Sequence, residues 1–207
     1  MQGLVFNVGI NDADYTVSKF QNLGMVNGVR KNKVVWLCPY YIVWKNMLAR
    51  CYAVNRQRQH MAYIGCSVCA EWLTFSKFKA WMETQDWEGK HLDKDILVHG
   101  NNIYSPNTCV FVSPALNMFL TGRAAMRGDY PIGVSFHKKS GKFCSSISNP
   151  FSNKQEHLGL FITPEEAASK WLTRKREFAK IYAELQDNYL VSLAILKRYE
   201  LEELLNS

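Results

Sequence analysis

The sequence predicts an α+β protein: helices first, then a short pair of strands, then a three-stranded antiparallel sheet backed by one helix, then a C-terminal helix. Three observations lead there. Two aromatic-rich stretches, "PYYIVWKNMLARCYAVN" from Pro39 and "EWLTFSKFKAWMETQDW" from Glu71, repeat apolar residues at the 3.6-residue spacing of a helix. Short apolar runs flank turn residues, first within 91–112 and again within 132–161. "TPEEAASKW" from Thr163 carries the start signals of a helix.

Residues 1–34 hold short apolar pieces interrupted by Gly9, Gly24 and Gly28, and suggest no function. The first helix turns Tyr40, Val43, Trp44, Met47, Leu48 and Cys51 inward and leaves Lys45 and Arg50 off that face. The second is a helix or a helix after a turn, with Trp72, Phe75, Phe78, Trp81 and Met82 inward; these aromatics read as core rather than as a ligand cage. "KHLDKDILVHGNNIYSPNTCVFVSPALN" (90–117) follows as strand, turn, strand and the start of a helix. "TGRAAMRGDYP" reads as a linker, over 121–130. "IGVSFHKK" and "GKFCSSIS" flank Ser140 and Gly141 as a hairpin, and "HLGLF" supplies a third strand. Thr163 is the N-cap of the next helix, with Pro164 at its first position and Glu166 completing a capping box. The remainder, 183–207, reads as an acidic amphipathic helix that docks on the body or pairs with another chain.

The chain of 207 residues is long enough to bury a real core, and nearly half of it is apolar. No apolar run approaches the roughly 20 residues that cross a bilayer. The N-terminus lacks a basic start and carries Asp12 and Asp14, unlike a signal peptide, so a cytosolic protein is expected. The formal net charge of +7 is uneven. Residues 119–182 hold eleven Lys and Arg against five Asp and Glu, a surplus of six, whereas residues 183–207 hold two against five. A basic surplus of this kind suits a polyanion, nucleic acid above all; the plainer reading is a solvated basic surface. Six cysteines in a cytosolic chain should be reduced. Cys66 and Cys69 have C-x-x-C spacing, but a structural Zn²⁺ lacks a second close pair, since Cys38 and Cys51 join only by folding back. Apolar packing is the favoured reading of these thiols.

Alternation along "HLDKDI" places His91, Asp93 and Asp95 on one strand face, with Leu92 and Ile96 on the other. Two carboxylates on one face repel unless a cation lies between them, and hard divalent cations prefer oxygen donors. Such an ion holds a scissile phosphate and stabilises the leaving oxygen. Asn107 offers an amide to fix the loop, and Asn117 a carbonyl ligand. The plainer reading is a charged strand edge that serves solubility.

The pattern W-x-x-M-L-x-R-C-Y (Trp44 to Tyr52), V-C-x-E-W (Val68 to Trp72), L-D-K-D-I, Y-S-P-N-T-C and a later Asn, in that order, resembles a group of phage-type HNH endonucleases. The resemblance covers residues 36–118 and implies a ββα nuclease module, over 35–120, that uses one divalent metal, Mg²⁺ or Mn²⁺. By position it implies Asp93 and Asn117 as metal ligands and Asn107, or Thr108 one residue on, as the loop-orienting group. Where that family usually has a histidine as general base, this chain has Lys94. A solvated lysine is protonated at neutral pH and takes no proton. Three readings follow: Lys94 desolvated, His91 or His99 in its place with His91 favoured by sharing the face of Asp93, or a site that binds without cleaving.

"GVSFHKKSGKFCSSIS" and "HLGLFITPEEAASKW" resemble the AP2 DNA-binding domain. Gly133, Val134, Gly141, Lys142, Phe143, Ile147, Leu158, Gly159, Phe161, Glu166, Ala167 and Ala168 carry the likeness, and the domain is assigned to residues 131–182. The implied fold is a three-stranded antiparallel sheet with one helix behind it, whose free face enters the major groove of double-stranded DNA. The alternation turns Val134, Phe136, Phe143 and Ile147 toward the helix, and Ser135, His137, Lys139, Ser146, Ser148 and His157 away. Phosphate attraction falls to Lys138, Lys139, Lys142 and Lys154. Arginine, whose bidentate contact to guanine is worth about 1–3 kcal/mol, is missing from these positions, so sequence preference should be soft. Together the resemblances imply a phage-encoded, homing-type DNA endonuclease in the cytoplasm of a bacterial host. The alternative is a catalytically inactive phage DNA-binding protein acting in regulation or against a host defence system. A weaker third reading is a protein-binding module that uses the C-terminal helix.

Overall fold

The computed structural model describes residues 4–121 and 129–201, and the chain divides into two compact units, Met1–Val112 and Ser113–Ser207. Both mix helix and strand, as the α+β expectation requires. Residues 122–128 of the expected linker, and 202–207 of the C-terminal stretch, lie outside the described residues.

The first unit opens with a segment stitched onto its core. The Ile10 N–H donates to the Leu73 carbonyl at 2.8 Å, and the Phe75 N–H donates to the Ile10 carbonyl at 2.9 Å. Gly9 lies so close to the core that a Cβ there would fall 2.4 Å from Leu48 Cδ1. Next comes an antiparallel ribbon of β1 (Ser18–Val26) and β2 (Val29–Leu37). Its turn residues, Asn27 and Gly28, have φ of 51° and 76°, the left-handed pair that suits a two-residue hairpin. The sequence reading assigned no strand here: the ribbon is exposed on both faces, so no inside–outside alternation marks it.

Helix α1 (Pro39–Tyr52) buries Tyr41, Trp44, Met47, Leu48, Ala49 and Cys51. Tyr40, expected inward, is only half-buried, and Tyr41 holds the core position. Arg50, expected off the face, is drawn in, donating to the Leu92 carbonyl at 3.3 Å and the Tyr104 hydroxyl at 3.4 Å. A short helix α2 (Val54–Gln59), strand β3 (Ser67–Val68) and a 3₁₀ turn over Ala70–Leu73 lead to α3 (Phe75–Glu83). Trp72, Phe75, Phe78 and Met82 are buried, each worth about 2–3 kcal/mol of apolar transfer. The Trp44 indole N–H ties α1 to this layer by donating to the Trp72 carbonyl at 2.7 Å. Then β4 (His91–Asp93) pairs antiparallel with β6 (Val110–Val112), while β5 (Ile103–Tyr104) pairs parallel with β3. Cys38, Cys51, Cys66 and Cys109 are buried in this unit, and burial pushes the Cys51 and Cys109 thiols up to about 12.

In the second unit α4 (Pro114–Leu120) starts at Ser113, whose hydroxyl accepts from the Leu116 N–H at 3.1 Å. The sheet β7 (Val134–His137), β8 (Lys142–Ser148), β9 (Gln155–Phe161) is antiparallel in the order β7-β8-β9. Helix α5 (Pro164–Glu184) begins with the expected capping box between Thr163 and Glu166. A separate helix follows: α5 stops at Glu184, and α6 (Tyr189–Arg198) starts at Asn188, whose side chain accepts from the Leu190 and Val191 N–H groups. The acidic helix expected over 183–207 is shorter than that, and its own charge is basic. Helix α6 carries Lys197 and Arg198 and no acid; the acidic residues flank it. Val191, Ile195 and Leu196 are buried as α6 packs on α5, so its apolar stripe is used within its own unit. Among the described residues no helix is long and apolar enough to cross a membrane.

Candidate nucleic-acid interface

Register sorts the side chains of the second unit's sheet into two faces. Val134 opposes Ser145, and Phe136 opposes Phe143; Ser145 in turn opposes Gly159. These residues and Ile147 lie on the side covered by α5. Ala167, Ala179 and Ala183 are buried on α5, and small side chains allow a helix to sit close. Gly133 marks the tightest point: its φ is 77°, and a Cβ there would fall 2.0 Å from Trp171 Cδ1. Phe136 lies on this side, as expected, but at the end of β7 it is 43% exposed.

The other face presents Ser135, His137, Lys142, Cys144, Ser146 and Ser148 from β7 and β8, with Gln155, His157 and Leu160 from β9. Ser135, His137, Lys142, Ser148 and His157 are exposed, and Ser146 is half-buried. Lys138, Lys139 and Lys154 are exposed in the two connecting turns. Polar pairs order the surface: Cys144 Sγ to His157 Nδ1 at 3.3 Å, Ser148 Oγ to Gln155 Oε1 at 2.9 Å, and His137 Nδ1 to Ser140 Oγ at 2.8 Å. Glu156 is the one acidic residue on the three strands, and it points to the helix side. Arg174 donates to its carboxylate at 2.7 and 3.1 Å, which holds Glu156 below the usual glutamate range. The outward face therefore carries cations, imidazoles and hydroxyls and no carboxylate. Cys144, Gln155 and Leu160 were missed at the sequence level, although the same alternation that turns Ser146 to this face turns Cys144 to it.

In the first unit the β4 edge is as alternation requires at four positions: His91 exposed, Leu92 buried, Asp93 half-buried, Ile96 buried. Asp93 Oδ1 accepts the Asp95 N–H at 2.8 Å and the Ile96 N–H at 2.9 Å, so the carboxylate caps its own turn. Burial, then the neighbouring Asp95 charge, push the Asp93 carboxyl above the usual range. Lys94 points the other way, only 7% exposed. Its ammonium donates to the Asn101 carbonyl at 2.8 Å and lies 3.3 Å from Asp95 Oδ2. Asn101 returns the contact through its amide, donating to the Lys94 carbonyl at 2.7 Å. Asn107 is exposed in its turn, and the side chain that ties the turn is Thr108, donating to the Ile103 carbonyl at 2.8 Å. Asn117 belongs to the second unit.

A divalent cation fits this edge only in part. Asp93 and Asp95 are oxygen donors of the right kind, but one Asp93 oxygen is held by two N–H groups and Asp95 is drawn to Lys94. Among the described residues no three His, Cys, Asp or Glu side chains gather around one point. Among the described residues these donors do not complete a shell.

Part of the chain is similar to plant transcription factors. Over 49 residues it is 41% identical to the ethylene-responsive transcription factor ERF116 of Arabidopsis thaliana, covering 24% of this chain and 17% of that protein. Over 38 residues it is 53% identical to ERF117 of the same plant, covering 18% of this chain and 12% of that protein. The chain thus spans less than a fifth of the length of either curated relative. No family model matches the chain, and no solved structure matches it.

Proposed function

We propose that this is a DNA-binding protein whose second unit grips double-stranded DNA with the free face of β7–β9. The observation that carries the reading is the sheet itself: α5 and the Glu156–Arg174 pair occupy one side, and the other is carboxylate-free and edged by Lys138, Lys139, Lys142 and Lys154. The local likeness to two plant transcription factors supports it. A two-stranded or three-stranded β surface fits the major groove, and lysines on the flanking phosphates release counterions. With serine and histidine outward, base discrimination is modest and affinity is dominated by the backbone. Such a protein acts where the DNA is, inside the cell.

The test is fluorescence anisotropy on unrelated duplexes across a salt series. Changing Lys138, Lys139 and Lys142 together to Ala should weaken binding to every sequence and lower the log–log salt slope by about 2–3, near 0.9 per phosphate contact. Affinity and slope both unchanged would remove the sheet as the DNA face.

Phosphodiester cleavage at the β4 edge is a second reading. It is supported by the pairing of β4 with β6, which carries His91 and Asp93 with Asp95 in the turn just after, and by the resemblance of the surrounding motifs to HNH endonucleases. Mg²⁺ or Mn²⁺ would meet Asp93 first. Binding without cleavage is favoured by Lys94, which stands at the base position and points into the protein. Incubating supercoiled plasmid with either ion separates the two: nicking that Asp93→Asn abolishes while DNA affinity persists supports an endonuclease, phage-type by its motifs. No nicking in either ion leaves binding, in regulation or against a host system, as the whole function.

A further inference from the structure

Between Asp14 and Glu71 the chain has eight Lys and Arg and no acidic residue. Four of those cations, Lys19, Arg30, Lys31 and Lys33, lie on the β1–β2 ribbon. The ribbon is anchored at its base, where the Cys38 N–H donates to the Val17 carbonyl at 2.8 Å and Val17 is buried. Beyond that base it is bare. Every β2 residue from Val29 to Trp36 is exposed, and Phe20, Met25 and Trp36 on its strands are 60%, 65% and 42% exposed. An isolated two-stranded hairpin is at best marginally stable in water, and a clustered exposed apolar surface marks a binding site. Charge selects the occupant: four cations with no acid repel a basic surface and attract a polyanion.

The register gives the mode. Lys33 opposes Gln21, and Lys31 shares its face two residues on; Arg30 opposes Met25 on the other face. Lys19 reaches over the Trp36 ring, 5.6 Å from its centroid. Cations thus flank the ribbon on both faces along nine-residue strands, about 30 Å at the usual rise. That is close to one turn of B-DNA, whose major groove, about 12 Å wide, admits a two-stranded ribbon between its two phosphate rows.

We infer that the β1–β2 ribbon is a second DNA-contacting element, lying in the groove of a duplex with its Lys and Arg on the flanking phosphates. It is carried by the first unit and is independent of the sheet face in the second. The full chain is compared in four forms: wild type, the ribbon variant Lys19→Ala/Arg30→Ala/Lys31→Ala/Lys33→Ala, the sheet variant Lys138→Ala/Lys139→Ala/Lys142→Ala, and both combined. On a duplex of about 25 base pairs, in about 50–200 mM salt, the ribbon variant should lower the salt slope by about 2–4 and weaken binding at least about tenfold. All four substituted side chains are exposed, so circular dichroism should match wild type. Lys31→Glu/Lys33→Glu is a second variant that should weaken binding more per substitution. Slope and affinity unchanged in both ribbon variants overturn the inference, whatever the sheet variant does. A wild-type dimer that the ribbon variant dissolves, with DNA affinity intact per monomer, would assign the ribbon to a second copy of the chain instead. If the sheet variant alone has no effect, the sheet reading fails and the ribbon stands.

Discussion

Lys94→Met is the perturbation that best separates structure from chemistry at the β4 edge. The ammonium is 7% exposed and donates to the Asn101 carbonyl at 2.8 Å, closing the 94–103 loop together with the returning Asn101 amide. A hydrogen bond from a charged donor is worth about 1.5–3 kcal/mol, and the orphaned carbonyl adds to the loss. Methionine fills much of the volume and removes the cost of burying a charge, so the net destabilisation should be about 1–3 kcal/mol. In urea, with a slope of about 1–3 kcal/mol per molar, that shifts the midpoint of the first unit downward by about 1 M. Five of the six tryptophans lie in residues 1–112, so intrinsic fluorescence reports that transition. Asn101→Ala should cost stability too, and the double variant should fall short of the sum by 0.5 kcal/mol or more, on the order expected for contacting residues. A midpoint unmoved by Lys94→Met, or full additivity with Asn101→Ala, refutes the clamp. Loss of DNA cleavage at unchanged stability would then return Lys94 to a chemical role.

Gly133→Ala should destabilise the second unit by about 2–5 kcal/mol. An alanine in the left-handed region costs about 1–2 kcal/mol, and its Cβ, 2.0 Å from Trp171, forces overpacking worth about 1–3 kcal/mol more; an alanine variant within 1 kcal/mol of wild type in denaturant would contradict the packing described. The Glu156–Arg174 pair predicts an acid-limb dependence. The folded carboxyl sits below its ordinary 4.5, because Arg174 and Asn149 donate to it. The unfolded chain therefore binds the proton more readily, so this stability is present above that value and is lost as pH falls through the folded one. Arg174→Ala should flatten that limb of a thermal-melt pH profile; an unchanged limb would mean the pair contributes nothing.

Local signals carried most of the element list. The 3.6-residue spacing around Trp44, Met47 and Leu48, and again around Phe75 and Phe78, reports helices because one stripe of each faces a core. The Thr163–Glu166 capping box and the glycine-bearing turn between His137 and Lys142 depend on residues a few positions apart, so they are legible without a tertiary context. Strand alternation likewise sorted the sheet faces, Ser135 and His137 against Val134 and Phe143. What failed did so for lack of an inside. The β1–β2 ribbon has no buried face and hence no alternation, although Asn27-Gly28 marked its turn.

The sequence alone determined the chemistry at hand: which residues are cationic, where the carboxylates cluster, and which stretches repeat with the period of a helix or a strand. Only the tertiary structure decided where those groups point. Glu156 and Lys142 stand on neighbouring strands, yet Glu156 is turned to Arg174 under the helix and Lys142 to the open face. Lys94 and His91 are three residues apart; Lys94 is spent on the Asn101 carbonyl and His91 is exposed. Orientation of this kind depends on partners outside the strand's own alternation, seven residues along the chain for Lys94 and eighteen for Glu156. Periodicity places a side chain on a face, but the partner that holds it there is supplied by the fold.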